Sequence, residues 1–215
     1  MEHQLESRTF IISSARELGL AIEEVQAEQF LRYLTHLIEW NRVINLTAIV
    51  DPDEIVIKHF VDSLAALVTT DFTDKSLVLD VGSGGGFPGI PIKIIKSGVR
   101  LVLVEPVQKK CSFLNSVVGL LKLQDVSIFN GTIEQYAQWP LRQLIDTVVI
   151  RALKCEEIQM HIPALLAPKG KVILYRTCPI NNEEMWEDFH LVDEKILMLP
   201  QGAGKRVVSV IQRTT

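Results

Sequence analysis

Apolar residues recur at helical spacing in the first third of the chain. Phe30, Leu34 and Leu37 follow one another at steps of four and three residues, a spacing that places side chains on one face of an α-helix. The run from Leu20 to Asp51 contains neither Gly nor Pro, the two residues that most often interrupt a helix. The pattern therefore predicts a long amphipathic helix in this run.

A second helix is predicted to begin at Asp51. The side chain of Asp51 suits the cap position, Pro52 suits the first helical position, and two acidic residues follow, where they favour the positive end of the helix dipole. This helix should run to about Val68. Residues 1–70 are thus predicted to form a helical N-terminal segment, packed on a core domain of residues 71–215.

From residue 76 onward, short runs rich in Val, Ile and Leu alternate with helical patterns. Five of these runs predict strands, at residues 77–81, 101–105, 126–129, 146–150 and 171–175. Helical patterns lie near residues 89–97, 107–121 and 157–166. This alternation predicts a parallel sheet with right-handed crossover connections.

Two further strands are predicted near the C-terminus, at about 191–199 and 206–212. Only PQGAGK separates them, which is too short for a crossover helix, so they should form an antiparallel hairpin at the sheet edge. Parallel strands that end in such a hairpin are typical of class I S-adenosylmethionine-dependent methyltransferases, a Rossmann-like variant of the doubly wound α/β fold. The prediction is this sheet with a helical N-terminal extension.

The strongest local signal is a glycine-rich loop directly after the first predicted strand. Asp80 is followed by Val-Gly-Ser-Gly-Gly-Gly-Phe-Pro-Gly, which places Gly82, Gly84 and Phe87 in the loop. Ligands of open α/β sheets bind beyond the carboxyl ends of the strands, and glycines let the backbone approach a ligand closely. The loop therefore predicts a cofactor site.

Two classes of cofactor fit this loop. Counted from Gly84, the stretch GGGFPG matches the dinucleotide fingerprint, and Glu105 lies at a suitable distance downstream for a ribose hydroxyl. Asp80 favours adenosylmethionine, because a carboxylate at a strand end stabilises an ammonium group and repels a pyrophosphate. Counted from Gly82, Phe87 breaks the dinucleotide pattern. A methyltransferase is favoured, with a nicotinamide-dependent oxidoreductase or purely structural glycines as alternatives.

Residues after the other predicted strands extend this site. Glu105 ends the second strand, where its carboxylate can accept hydrogen bonds from both ribose hydroxyls. Ile133 and Glu134 follow the third strand and would border an adenine ring. Arg151 follows the fourth strand, and its guanidinium can hold a carboxylate through two parallel hydrogen bonds. The alternatives are a solvated strand end for Glu105 and a surface position for Arg151.

Composition narrows the class of protein. A chain of 215 residues with 47% hydrophobic residues can bury a sizeable core unaided. Its three cysteines lack Cys-x-x-Cys spacing, which argues against a disulfide framework and against a zinc site. Without a signal peptide or an apolar run of membrane length, the protein is expected to be cytoplasmic. A net charge of −4 means that an anionic partner would meet a local basic patch.

Several short motifs, distributed over nearly the whole chain, resemble one family. They are Trp40-Asn41, Asn45-Leu46-Thr47, His59-x-x-Asp62-Ser63, the loop from Asp80, Lys109-Lys110-x-x-Phe113-Leu114, Arg151-Ala152 and Lys205-Arg206. In order and spacing they resemble the bacterial 16S ribosomal RNA guanine-N7 methyltransferase G family, also called glucose-inhibited division protein B. The chain departs from the family pattern at Gly85, at Glu105 and at Tyr175-Arg176-Thr177.

The resemblance implies an S-adenosylmethionine cofactor and a target guanine in the decoding region of small-subunit ribosomal RNA. It also implies that Gly82 and Phe87 line the cofactor pocket, that Ile133 and Glu134 border the adenine, and that Arg151 contacts the cofactor. The expected partner is this RNA or a partly assembled subunit, and the expected state is a monomer. A non-catalytic RNA- or ribosome-binding protein with the same fold is the alternative.

Two further sets of residues are candidates for positioning and for RNA contacts. His59 and Asp62 share a helix face, where they either shape the pocket mouth or form a structural histidine–carboxylate hydrogen bond. The candidates for phosphate contacts are Lys109, Lys110, Lys205 and Arg206, with plain solvation as the alternative. Guanine N7 carries a lone pair and no proton, so no general base is required, and no metal site is expected.

Overall fold

The described residues form a mixed sheet of seven strands. The structure is a computed structural model that describes residues 2–181 and 183–214, with side chains from residue 6 onward. The strands are β1 Leu77–Val81, β2 Arg100–Glu105, β3 Val126–Asn130, β4 Ile145–Arg151, β5 Leu166–Arg176, β6 Phe189–Met198 and β7 Lys205–Arg213. Strands β1 to β5 are parallel, and β7 is antiparallel to both β5 and β6. The predicted parallel sheet and edge hairpin are confirmed.

The strand order is β3-β2-β1-β4-β5-β7-β6, so it reverses between β1 and β4. Such a switch point leaves a crevice beyond the carboxyl ends of the two strands, where ligands of open α/β sheets bind. The glycine loop follows β1, and Arg151 is the last residue of β4. The fold therefore brings these two predicted elements of the site side by side.

The N-terminal segment is helical, as predicted, but its long helix is shorter than the pattern indicated. Helix α1 spans Glu2–Glu17 and α2 spans Glu24–Ile44. Helix α2 ends where Asn45 takes a left-handed conformation with a φ of 51°. The side chain of Asn41 then accepts a hydrogen bond from the backbone N–H of Thr47 and donates one to its carbonyl. The pattern ran too far because neither Gly nor Pro marks this end.

The helix predicted from Asp51 is present and contains a π-helical stretch. The Asp51 side chain accepts from the backbone N–H of Glu54 at 2.9 Å, which confirms the predicted cap. The turns are α3 Pro52–Ile55, a π-helical segment Val56–Val61, α4 Asp62–Leu64 and a 3-10 turn Ala65–Val68. Single π-helical turns occur frequently at functional sites. His59 lies within this turn, and Asp62 directly follows it.

The sheet separates two clusters of buried apolar side chains. The first cluster joins α1, α2, α5 (Gly89–Ile95) and α6 (Gln108–Leu121) to one face of the sheet. The second joins α7 (Ile133–Ala137) and the segments before β5 and β6 to the other face. The N-terminal helices are thus held by burial of apolar area shared with the sheet. A domain boundary at residue 70 stays a prediction, since one cluster spans both sides of it.

The predicted helix at residues 157–166 is wrong. The chain forms two 3-10 turns there, Cys155–Glu157 and Gln159–His161. Pro163 lacks a backbone N–H and disfavours a helical conformation in the residue before it, which leaves too short a run for an α-helix. The apolar residues that produced the pattern are nevertheless buried in the second cluster: Ile158, Ile162 and Leu165.

Cys111, Cys155 and Cys178 are free thiols, as predicted. Within residues 2–181 and 183–214, none of the helices combines the length and the apolar composition that crossing a membrane requires.

Candidate active site

The glycine loop between β1 and α5 is anchored to the end of β2. Gly82 and Ser83 both donate backbone hydrogen bonds to the carbonyl of Val104, at 2.8 and 3.1 Å. Gly84 donates to the carboxylate of Glu105 at 2.8 Å. Gly82 has a φ of 69°, a backbone conformation that side chains rarely allow. The loop therefore needs glycine for its own geometry, as well as for access by a ligand.

Asp80 lies beneath the loop and is fully buried. Its Oδ2 accepts from the backbone N–H of Gly89 at 2.9 Å, whereas Oδ1 finds no hydrogen-bond partner among the described residues. Burial raises the pKa of Asp80 to about 7, against the opposing effects of the Gly89 N–H and the Arg151 guanidinium. A buried oxygen without a partner is costly. A cationic ligand near this carboxylate would lower that cost.

Glu105 is held at the end of β2 by backbone donors. Its Oε2 accepts from Gly84, and its Oε1 accepts from the N–H of Val107 at 2.9 Å. The side chain is buried, which rules out the alternative of a solvated strand end. A contact between Glu105 and a ribose stays a prediction.

Asp62 forms a buried ion cluster with two arginines from the sheet. Arg151 donates through Nη1 to Oδ2 at 3.0 Å. Arg206 donates through Nε to Oδ1 at 2.5 Å and through Nη2 to Oδ2 at 2.7 Å. The Asp62 side chain is 1% exposed, and those of Arg151 and Arg206 are 12% and 18% exposed. One carboxylate therefore joins the helical segment to β4 and β7 through charge-assisted hydrogen bonds.

His59 lies between this cluster and the glycine loop. Its ring stacks on that of Phe87, with centroids 4.7 Å apart. Its Nδ1 faces Nη2 of Arg151 at 3.5 Å, and its Nε2 lies 2.7 Å from Oγ1 of Thr47. Both ring nitrogens are therefore in contact with neighbouring side chains of the protein. Burial, with the charge of Arg151, lowers the pKa of His59 to about 4, so the ring is neutral at pH 7.

The two positioning candidates do not bond to each other. Arg151 lies between His59 and Asp62 and contacts both. It also donates to the carbonyl of Lys58 at 3.0 Å, and its guanidinium carbon lies 5.2 Å from the centroid of the Phe87 ring. These contacts rule out a surface position for Arg151. A contact between Arg151 and the cofactor stays a prediction.

Tyr33 of α2 was missed by sequence reasoning. It is fully buried, and its ring stacks on those of Phe60 and Phe87 with centroids 5.0 and 5.5 Å apart. Its hydroxyl donates to the carbonyl of Gly85 in the glycine loop. In the sequence Tyr33 belongs to an apolar helical face, where an aromatic residue indicates core, so no separate signal marked it.

Leu153 also lies against the glycine loop and was not predicted. Ala152, directly after β4, takes a left-handed conformation with a φ of 59°. The side chain of Leu153 then lies so close that a Cβ added to Gly82 would be 2.7 Å from its Cδ1. A side chain at position 82 would therefore meet both backbone strain and Leu153.

The remaining predicted residues lie around the edge of the site. Ile133 is buried at the start of α7, and Glu134 beside it is exposed. Lys109 and Lys205 are exposed, and Lys110 is partly buried. The adenine contact and the phosphate contacts of these residues stay predictions.

Arg206 is placed differently from the three lysines. Besides its bonds to Asp62, it donates through Nη1 to the carbonyl of Arg176 at 3.2 Å. Arg176, part of the departure from the family pattern, forms an ion pair with Glu184 at 2.6 Å. Most of the Arg206 guanidinium is therefore committed within the protein, which leaves little of it for a phosphate.

The chain is similar to known proteins over most of its length. A family model described as "GidB: rRNA small subunit methyltransferase G" matches residues 26–201. The "Ribosomal RNA small subunit methyltransferase G" of Carboxydothermus hydrogenoformans is 40% identical over 170 residues, which cover 78% of this chain and 72% of the relative. The protein of the same name from Staphylococcus epidermidis is 31% identical over 205 residues, covering 92% and 86%.

Two solved structures share the fold at low sequence identity. MtNAS in complex with MTA and tNA superposes with a TM-score of 0.55 at 12% identity, over 95% of this chain and 70% of that one. TrmN from Thermus thermophilus superposes with a TM-score of 0.53 at 16% identity, over 65% and 44%. These likenesses confirm the predicted methyltransferase fold. Because the family model covers most of the chain and relatives of this name are up to 40% identical to it, this protein belongs to the ribosomal RNA small subunit methyltransferase G family.

Proposed function

We propose that this protein transfers a methyl group from S-adenosylmethionine to N7 of a guanine in 16S ribosomal RNA, within the decoding region of the small subunit. The observation that carries the proposal is the glycine loop at the switch point between β1 and β4, with a buried, half-partnered carboxylate beneath it. Family membership supports the same reaction and argues against the oxidoreductase alternative.

The residues around the loop fit this cofactor. The unpartnered Oδ1 of Asp80 favours a ligand with cationic sulfonium and ammonium groups over a pyrophosphate. Gly84 leaves the backbone open to a ligand, and Glu105 lies one strand away, where a ribose would be held. Bound there, S-adenosylmethionine supplies an electrophilic methyl group. Phe87 and Ile133 would add apolar walls at the two ends of the site.

The chemistry asks the protein to position groups, without removing a proton. Guanine N7 attacks through its own lone pair. The protein therefore increases the rate by aligning the reacting groups and by excluding water. The two positioning candidates fit this view: both oxygens of Asp62 already accept from guanidinium groups, and His59 is a neutral ring in contact with Thr47 and Arg151. Their contacts instead hold Phe87 and Arg151 in place.

We further propose that the RNA meets the carboxyl edge of the sheet through Lys109, Lys110 and Lys205. Lys109 and Lys110 begin α6 directly after β2, and Lys205 begins β7. The net charge of −4 makes such a local patch necessary for RNA affinity. The proposed substrate is the ribosomal RNA or a partly assembled small subunit, met by a cytoplasmic monomer.

A direct assay tests the proposed function. Small-subunit RNA, free and in subunits, is incubated with the protein and S-adenosylmethionine, and the nucleosides are analysed by mass spectrometry. Calorimetry measures binding of S-adenosylmethionine, its demethylated product and NAD. We expect 7-methylguanosine and binding of the first two ligands only. RNA binding without methylation would favour the non-catalytic alternative, and binding of NAD alone would favour the oxidoreductase.

The rate of methyl transfer is expected to change little with pH. In single-turnover reactions with saturating cofactor, the rate should be nearly flat between about pH 6 and pH 9, because no general base titrates.

Asp62→Asn should keep most of the methyl-transfer rate. Its rate should fall by much less than the ~100-fold that removal of a general base causes. It should lose about 3–5 kcal/mol of stability, because two arginines then lack their buried partner. A tenfold rise in rate per pH unit, absent in Asp62→Asn, would contradict the N7 assignment.

Asp80→Asn is expected to stabilise the fold and weaken cofactor binding. Folded Asp80 keeps its proton up to about pH 7, whereas in the unfolded chain it loses it near pH 4. The folded state holds the extra proton between these values, so this group lowers stability as pH rises through that window. The stability gained by Asp80→Asn relative to wild type should therefore grow from about pH 4 to about pH 7 and then stay constant.

Urea unfolding of wild type and Asp80→Asn across this pH range measures the gain. His59 is present in both proteins, so its own titration cancels in the difference. Calorimetry should show weaker binding of S-adenosylmethionine by the variant above pH 7. A difference in stability that does not depend on pH, or an unchanged affinity, would contradict the role given to the Asp80 carboxylate.

Replacing the three lysines should weaken RNA binding and reduce its dependence on salt. Each lost phosphate contact lowers the magnitude of the slope of log K against log salt concentration by about 0.7–0.9. Replacing all three lysines by Gln should therefore lower that magnitude by about 2. A control replaces three exposed lysines outside the carboxyl edge, Lys75, Lys122 and Lys169, in the same way. Equal slopes for both variants would place the RNA surface elsewhere, and cofactor affinity should stay unchanged in both.

A further inference from the structure

Helix α2 contacts the glycine loop through Tyr33. The hydroxyl of Tyr33 donates to the carbonyl of Gly85, which lies in a buried part of the loop. A buried carbonyl needs a partner, and loss of that partner costs the full desolvation penalty. Burial raises the pKa of the Tyr33 hydroxyl well above its usual value, so it stays a donor over the whole physiological range.

The loop packs closely against Tyr33 and Ile90 at this point. Gly86 has a φ of 91°, and a Cβ placed on it would lie 2.6 Å from the Tyr33 oxygen and 2.6 Å from Cδ1 of Ile90. The Tyr33 ring is itself fixed by its stacking on Phe60 and Phe87. The hydroxyl is therefore held in place, and the loop is bonded both to it and to the Glu105 carboxylate.

These contacts connect the N-terminal segment to the expected cofactor site. The residues Gly82 to Phe87 form one short loop, with Glu105 holding Gly84 and Tyr33 holding Gly85. A hydrogen bond to the Gly85 carbonyl restricts the orientation of the peptide group between Gly85 and Gly86. A loop whose backbone must meet a ligand binds more tightly when it is held in the bound conformation beforehand.

We infer that Tyr33 is a positioning residue of the methyl-donor site, which acts through the Gly85 carbonyl to preorganise the glycine loop. The inference rests on the proposed function, because it takes the loop to be the site of S-adenosylmethionine. With this role of Tyr33, helix α2 contributes to cofactor binding in addition to packing against the sheet. Tyr33 itself does not touch the reacting atoms.

The test compares Tyr33→Phe with a variant that loses a similar bond elsewhere. Tyr33→Phe keeps the stacked ring and removes one oxygen. Thr69→Val removes a buried hydroxyl that donates to the carbonyl of Ala65 at 3.1 Å. Both should lose a similar small amount of stability. Only Tyr33→Phe should weaken binding of S-adenosylmethionine, by about 3- to 10-fold, with the single-turnover rate at saturating cofactor unchanged.

Hydrogen exchange supplies a readout that does not depend on the cofactor. In the ligand-free protein, Tyr33→Phe should speed exchange of the backbone amides at 84–87 and leave those at 101–104 as in wild type. Equal cofactor affinity and equal exchange in wild type and Tyr33→Phe would overturn the inference and leave the proposed function intact. Failure of the wild-type protein to bind S-adenosylmethionine would overturn both.

Discussion

The architecture of this site depends on one buried carboxylate held between two guanidinium groups. Asp62 is almost completely withdrawn from solvent, and it faces Arg151 and Arg206 from two separate strands. An ionised carboxylate is stable in such a place only when its charge and its lone pairs are both matched. The cluster meets this requirement with three hydrogen bonds, all from guanidinium nitrogens. Its geometry is therefore tightly constrained.

The cluster fixes the site because each of its members has a second contact. Arg151 packs over Phe87 and faces His59, and His59 is held by Thr47. The motif residues of the N-terminal segment thus form a continuous chain of contacts that ends at the glycine loop. This explains how residues with no reactive role can be part of a methyltransferase site: they hold the loop and the strand end at a fixed separation.

The parts of the fold that the sequence predicted are those with a local cause. The predicted parallel strands contain short runs rich in Val, Ile and Leu, the Asp51 cap acts on the next turn, and the glycine loop follows its strand directly. The errors also have local causes: an unmarked helix end at Asn45 and a proline that left 3-10 turns in place of a helix. Periodicity alone distinguishes neither case.

The missed contacts of the site are between residues far apart in the chain. Arg206 lies 144 residues from Asp62, and Tyr33 lies 52 residues from Gly85. In the sequence, Arg206 is a charge at a strand end and Tyr33 is an aromatic residue on an apolar helix face, and both descriptions are correct. Only the packing of α2 and β7 beside the switch point gives them their partners. Sequence patterns indicate where the candidate site lies. Tertiary contacts determine which residues fix the conformation of its loop.

A double-mutant cycle on Asp62 and Arg206 measures the central interaction most directly. The free energy of unfolding is determined for wild type, Asp62→Asn, Arg206→Leu and the double variant. If the cluster organises this part of the structure, the two changes should be coupled by about 1–3 kcal/mol. The exposed pair of Glu54 and Lys58, at 2.7 Å, serves as a reference and should show at most ~1 kcal/mol. Additive effects at Asp62 and Arg206, within about 0.5 kcal/mol, would contradict the account.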